Sequence, residues 1–399
     1  MSDQKLIIPE GFRAAAVKAG IKPSGGLDLA VLAADGPCAA AGTFTTNRVC
    51  AAPVRWCRDR IPADDIRAVV INAGNANAAT GQRGAANVER TAATAARALG
   101  CRPDQILVAS TGVIGHQLPM DRLEAGLGQA LGALSPDASA FRTASQAILT
   151  TDTRPKVVSL SHRGEAGAFS LLGMAKGAAM IGPRMATMLA FLLTDAPLWP
   201  NDLQPILSDA VEQTFNCVSV EGHTSTNDTV LLLSSTAASR PVLHGDDLTA
   251  FAGMVGDACE TLARMMAADG EGSTHFVTID VEGCLDREEA RTIARAVAES
   301  ALVKTAIHGA DPNWGRIVSA AGYAGVPFEE DEVSLWINGV AVYRQGSPTD
   351  FDAARLSADL RAHRDVQLRL AFRRGAGSIR FWTCDLTAEY VRLNADYTT

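Results

Sequence analysis

Residues 173–196 read GMAKGAAMIGPRMATMLAFLLTDA. A run of small residues is broken by Lys176. A Gly182-Pro183 turn follows, and Ala186-Thr187 then leads directly into the apolar run 188–193. An apolar stretch of that length, bounded by turn residues, spells a buried strand. It also places one hydroxyl, that of Thr187, at the mouth of the strand.

A threonine hydroxyl is a poor nucleophile without an adjacent base. One solution makes threonine the first residue of a chain, so that its own α-amine is the base. An internal threonine reaches that state only if the chain is cut before it. Pro183 fixes one dihedral and restricts Gly182. Ala186 leaves its carbonyl open to the Thr187 hydroxyl, and the apolar run behind Thr187 would hold it rigidly. The ordinary alternative is a threonine that merely opens a strand.

Further runs read as strands at 27–32, 68–71, 106–109, 188–193, 229–233, 275–281, 333–337, 368–372 and 378–382. Helical periodicity appears at 87–99, 122–134, 138–149, 202–215, 248–268, 287–302 and 353–363. Strands cluster between single helices, which gives a mixed α/β or α+β class rather than a regular alternation. YRQGSPTD at 343–350 reads as a loop. A boundary is expected near 283–287, dividing a large unit at 1–283 from a smaller α/β unit at 284–399.

The chain has 399 residues, 47% hydrophobic and 20% charged, a globular composition with room for two domains or one large layered one. Its net charge of -8 and its lack of a basic block argue against nucleic acid or anionic lipid as partner. No apolar run approaches about 18 residues, so no membrane span is expected. MSDQKLIIPEGFRAAAVKAGIK is not a secretory signal. Eight scattered cysteines form no CxxC pair and suit free thiols in a reducing cytoplasm. The histidines lack ligand spacing, so no metal is expected. Nucleotide-cradling glycine fingerprints are absent. Only six of the 36 basic residues are lysine, so a lysine among small residues is less readily dismissed.

Several polar stretches follow strands or helices. STGVIG at 110–115 could aim backbone N–H groups at a developing oxyanion, with Gly112 allowing close approach. Its alternative is a plain turn. TTDT at 150–153 gathers three hydroxyls and a carboxylate, or is a helix C-terminal turn. Lys176 could hold a substrate carboxylate, or lie exposed on a glycine-rich loop. Glu271, between two glycines in DGEGST (269–274), could pair with a substrate ammonium. HTSTNDT (223–229) is a further polar loop. NAGNANAATG (72–81) and KTAIHGADPNWGR (304–316) suit polar networks, the second a structural one.

Taken together with GTFTTN (42–47), TTDTRPK (150–156), MATMLAF and the C-terminal NADYTT (394–399), these stretches resemble the ornithine acetyltransferase/glutamate N-acetyltransferase family of arginine biosynthesis. The resemblance runs from about residue 8 to the end. It implies a layered sandwich with sheets packed between helices, plus a smaller C-terminal α/β domain. It implies self-cleavage between Ala186 and Thr187, giving two chains that assemble as α2β2 in the cytoplasm. Thr187 would carry the acetyl group from N2-acetyl-L-ornithine to L-glutamate, with Thr111 and Gly112 holding the oxyanion. Thr150, Lys176, Thr187, Glu271, Asn394 and Thr399 would contact substrate. No cofactor is implied; acetyl-CoA would be a co-substrate if the chain is bifunctional, which the sequence leaves open. The sequence departs from the family pattern at Glu221-Gly222-His223, Ala73, Ala178 and Ala179, none of them at the nucleophile. Two rival readings are a self-processing N-terminal-nucleophile amidase or aminopeptidase, which would pass its acyl group to water, and a non-catalytic binding or structural relative.

Overall fold

The computed structural model describes residues 5–180, 182, 188–237 and 240–396. In chain order the first part comprises β1 (Phe12–Val17), β2 (Leu29–Phe44), α1 (Ala52–Arg58), β3 (Ala63–Asn75), α2 (Gly81–Leu99), β4 (Ile106–Val113), α3 (Met120–Gly132), α4 (Ala138–Ala147), β5 (Lys156–Gly164), β6 (Gly167–Lys176), β7 (Leu189–Thr194), α5 (Pro200–Gln213), β8 (Thr229–Ser235) and α6 (Gly245–Ala267). The second part comprises β9 (Phe276–Cys284), α7 (Arg287–Glu299), α8 (Ala301–His308), α9 (Trp314–Gly322), β10 (Ser334–Ile337), β11 (Val340–Arg344), β12 (Ser347–Pro348), α10 (Ala353–Ala362), β13 (Asp365–Ala371), β14 (Gly377–Cys384) and α11 (Ala388–Asp396). The class is mixed α/β, as the strand clusters indicate.

The first sheet runs β4-β3-β2-β8-β7-β6-β5, with β1 paired to the first half of β2. All six residues of β7 are buried, and strand periodicity sends them to two cores. Leu189, Phe191 and Leu193 join one core, which includes Phe141 and Ile148 at α4. Ala190 and Leu192 join another, formed with α5 and α6. The neighbouring strand β8 divides in the same way. The apolar run is therefore continuous, not alternating, because both faces of the strand are covered.

The second sheet runs β12-β11-β10-β13-β9-β14. In β13, Val366, Leu368 and Leu370 are buried while Asp365, Gln367 and Arg369 are exposed. This sheet has one open face, laced by pairs such as Arg380 Nε to Asp280 Oδ1 at 2.7 Å.

Each of the nine expected strands lies within or largely within an observed one. Five more were not anticipated. β1 is alanine-rich, a composition that favours helix, and pairing with β2 overrides it. β5 and β6 form an antiparallel hairpin whose serines and glycines interrupt its apolar pattern. The stretch 343–350 is not a plain loop: Tyr343 pairs with Pro348 and Arg344 with Ser347. Gln345 and Gly346 make the turn with positive φ of 48° and 82°, as a tight hairpin demands. The single helix expected at 287–302 is two, because Ser300 ends α7 and its hydroxyl caps α8 by accepting from Val303 N. Residues 283–287 fall at the end of β9, a strand that pairs with β13 and β14 in the second sheet.

Candidate active site

β6 ends at Lys176, paired in register with Leu189 at the start of β7. Lys176 is not on an exposed loop; its relative exposure is 1%. Its Nζ lies 3.8 Å from Asp152 Oδ2 and makes no hydrogen bond among the described residues. Asp152 belongs to TTDT, and its Oδ1 accepts from Gly177 N and Lys156 Nζ, each at 2.6 Å. Lys156 Nζ also reaches Asp269 Oδ2 at 2.6 Å. Asp269 in turn holds the backbone N–H of Thr153 at 3.1 Å and its hydroxyl. Burial would raise the Asp152 carboxyl, but Lys176 and Lys156 outweigh it and hold the group down at about 2. Burial lowers the Lys176 ammonium, and Asp152 partly restores it. Asp152 thus stays ionised at neutral pH and supports a desolvated ammonium that retains donors for a ligand.

The other expected residues arrive from separate elements. Thr150 is half-buried, and its N–H donates to Asp152 Oδ2 at 3.2 Å. Glu271 N donates to Ala178 O at 2.9 Å, which docks the DGEG loop on the segment after Lys176. Glu271 Oε2 accepts from Asn394 Nδ2 of α11 at 3.0 Å. The flanking glycines permit this approach: a Cβ at Gly272 would lie 2.7 Å from Tyr390 N, and one at Gly270 2.7 Å from Cys384 Sγ. Glu271 lies close enough to Lys176 to support its charge. Ala186, Thr187 and Thr399 lie outside the described residues.

Thr111 and Gly112 lie in β4, which extends through Val113, beyond the expected end of the strand. Gly112 pairs with Gly74 of β3 at φ +128°, and a Cβ there would come within 2.3 Å of Gly74 C. Only glycine fits. Ser110 Oγ donates to Asn72 Oδ1 at 2.6 Å, and Asn72 Nδ2 to Asn75 O at 2.8 Å, so NAGNANAATG braces this strand end. Asn227 Nδ2 donates to Ser110 O at 2.8 Å, and its neighbour Asp228 accepts from Met188 N at 2.8 Å. The TSTNDT loop thus touches both the Thr111 strand and the strand after Thr187.

Sequence reasoning counted Asp152 only as the carboxylate of TTDT and gave no role to Lys156, Asp228 or Asp269. The scarcity of lysine could have flagged Lys156, since Lys156, Lys176 and Lys304 are all buried. Lys22 was also missed: its Nζ donates to Leu27 O at 2.6 Å, and its charge repels that of Lys176. KTAIHGADPNWGR is structural in form: Lys304 donates to Thr383 Oγ1, and Asn313 caps α9. Among the described residues no cluster of His, Cys, Asp and Glu could hold a metal, and no helix is long and apolar enough to cross a membrane.

A model of the family described as ArgJ matches residues 13–399. The arginine biosynthesis bifunctional protein ArgJ of Rhodopirellula baltica is 44% identical over 396 residues, covering 98% of this chain and 97% of its own. The protein of that name from Thermus thermophilus is 45% identical, covering 98% and 99%. A crystal structure of the Bacillus halodurans protein is 38% identical at a TM-score of 0.50, covering 52% of this chain and 98% of that one. With matches running through every segment of the site, the protein is an acyltransferase of arginine biosynthesis. The chain belongs to the ArgJ family, the ornithine acetyltransferase/glutamate N-acetyltransferases.

Proposed function

We propose that the chain cuts itself between Ala186 and Thr187 and then moves acetyl from N2-acetyl-L-ornithine to L-glutamate through an acetyl-Thr187 ester. The freed α-amine of Thr187 takes the hydroxyl proton, and Oγ attacks the acetyl carbonyl. Thr111 and Gly112 stabilise the oxyanion. Ornithine leaves with a proton returned by the Thr187 ammonium. The glutamate amine then attacks the ester, releasing N-acetylglutamate and restoring the hydroxyl. Lys176 binds the α-carboxylate that both amino acids share. Glu271, Thr150, Asn394 and Thr399 contact the remainder of the substrate.

The observation that carries this reading is Lys176: a wholly buried amine 3.8 Å from the Asp152 carboxylate, without a hydrogen bond among the described residues. Burying such a group is costly unless something anionic completes it. An amino-acid carboxylate does so, and Glu271 beside it suits an ammonium.

The fold supports cleavage without separation. β7 and β8 follow residue 187, yet they lie between β2 and β6, which precede it. The solved Bacillus halodurans chain is about half the length of this one, which suits a protein made of two chains. We also propose an α2β2 assembly, which the resemblance to the family implies. We place the protein in the cytoplasm, where its eight free thiols persist. We also divide the chain into a catalytic unit and a smaller C-terminal unit. Sheet membership favours a seam just ahead of β9 over one at 283. The word bifunctional in the relatives' names supports a second activity, acetylation of glutamate from acetyl-CoA through the same Thr187.

The test is the intact mass of untagged protein under denaturing conditions, followed by product analysis with N-acetylornithine. Two fragments matching 1–186 and 187–399, with N-acetylglutamate formed only when glutamate is present, are expected. A single full-length mass, or acetate release indifferent to glutamate, overturns the reading, and the second outcome favours an amidase. Thiol release from acetyl-CoA with glutamate reports the second activity.

A further inference from the structure

Asn227 and Asp228 stand at the mouth of β8, between the two halves of the site. Asn227 Nδ2 donates to Ala76 O at 2.6 Å and to Ser110 O at 2.8 Å, and Ser110 directly precedes Thr111-Gly112. Asp228 is 0% exposed, and its Oδ1 accepts from Met188 N at 2.8 Å. Its backbone is fixed as well, since Thr45 N donates to Asp228 O at 3.0 Å and Thr229 N to Met188 O at 3.2 Å. The hydroxyls of Thr45 and Ser225 stand near the carboxyl. The Thr45 proton goes to Ser225 O, while Ser225 Oγ accepts from Asn227 N and keeps its own proton. Asp228 Oδ2 is left without a hydrogen bond of normal geometry among the described residues.

A buried oxygen in that condition is costly and offsets part of what the Oδ1 bond to the Met188 N–H contributes to stability. The N–H of Met188 belongs to the peptide unit that joins it to residue 187. That unit is planar, so a bond that orients the N–H constrains the link by which Thr187 is attached.

We infer that Asp228 is a positioning residue for acyl transfer: through the Met188 N–H it fixes the peptide unit that carries Thr187, while Asn227 fixes the strand that carries Thr111 and Gly112. Two adjacent residues thereby set the separation between nucleophile and oxyanion donors. The role requires an acceptor, not a charge. Among the described residues the charged group facing Asp228 is Lys176 at the end of β6, and burial outweighs it, so the carboxyl stays largely neutral at pH 7. Asparagine offers the same carbonyl-type acceptor.

The inference rests on the acyl-transfer reading, and wild-type protein separates the two. If wild type neither splits nor transfers acetyl, that reading fails. With active wild type, Asp228→Leu should split slowly and lose roughly a hundredfold in kcat, the order expected for a misplacement of about 1 Å. KM should change far less, and Asp228→Asn should restore most of kcat. Melting curves check that each variant folds; if Asp228→Leu does not, Asp228→Ser, too short to reach Met188 N, takes its place. A folded Leu or Ser variant with wild-type kcat overturns the inference. So does an Asn variant as impaired as the Leu variant, which would mean that the proton matters and not the acceptor.

Discussion

Asp152 and Asp228 are both buried carboxyls within electrostatic reach of Lys176, and they hold opposite charge states at neutral pH. Burial pushes both upward. At Asp152 two ammoniums overcome it, one of them 2.6 Å away, and the group sits at about 2. At Asp228 burial prevails over the Met188 N–H and the more weakly felt Lys176, and the group sits at about 8. The signs for stability follow. Asp152, depressed from 3.8, contributes stability above about pH 4 that is lost as pH falls toward about 2. Asp228, raised from 3.8, binds its proton more tightly folded than unfolded. Its contribution is full below about pH 4 and is lost as pH rises toward about 8. Asparagine at 228 cannot ionise. The stability of Asp228→Asn relative to wild type should therefore climb between about pH 4 and about pH 8 and level off above. Denaturant midpoints across that range measure it, and a difference independent of pH would show that Asp228 titrates normally.

At the scale of elements, the site depends on two strands brought abnormally close. Gly74 and Gly112 face each other in β3 and β4, both at positive φ, where the register shifts by a residue. Adding one methyl at Gly112 would drive β4 off β3 and move the Thr111-Gly112 backbone. Gly112→Ala should lose a factor of roughly a hundred or more in transfer, the scale of one oxyanion donor. Wild-type kcat in that variant would remove the backbone of 112 from the mechanism. Elements such as β7 were legible because a continuous apolar run has few other uses. Thr111-Gly112 and Lys176 were legible as small or charged residues in places where such residues are unusual. Lys156 and Asp269 were not, because they meet across 113 positions of sequence and neither sits in a telling neighbourhood. Asp228 lay in a loop noticed for its polarity, but its partner is a backbone N–H, which leaves no mark in a sequence. The Ser300 break was hidden because the helical pattern of apolar residues continues through it.

For the whole molecule, the consequence of the strand order is that the cleavage proposed at residue 187 would create two chains that do not form separate bodies. Separating them would unzip β2 from β8 and β6 from β7, the centre of the first sheet, and open two cores at once. Lys156 adds a buried ionic tie across the same division. Its ammonium joins Asp152, before the cut, to Asp269, after it, and all three side chains are nearly inaccessible. Replacing one member of such a cluster strands the others as buried charge and costs about 3–5 kcal/mol. Lys156→Met leaves two carboxylates facing each other without that cation, so a loss of that order is expected. Because both chains share the sheet, the loss should appear as one cooperative transition shifted to lower temperature, with both fragments leaving the folded state together. Calorimetry of the cleaved protein, with the soluble fragments weighed by mass spectrometry across the transition, makes the measurement. Two transitions, or release of one fragment while the other stays folded, would mean that the chains are held together at their surfaces and not through the common sheet.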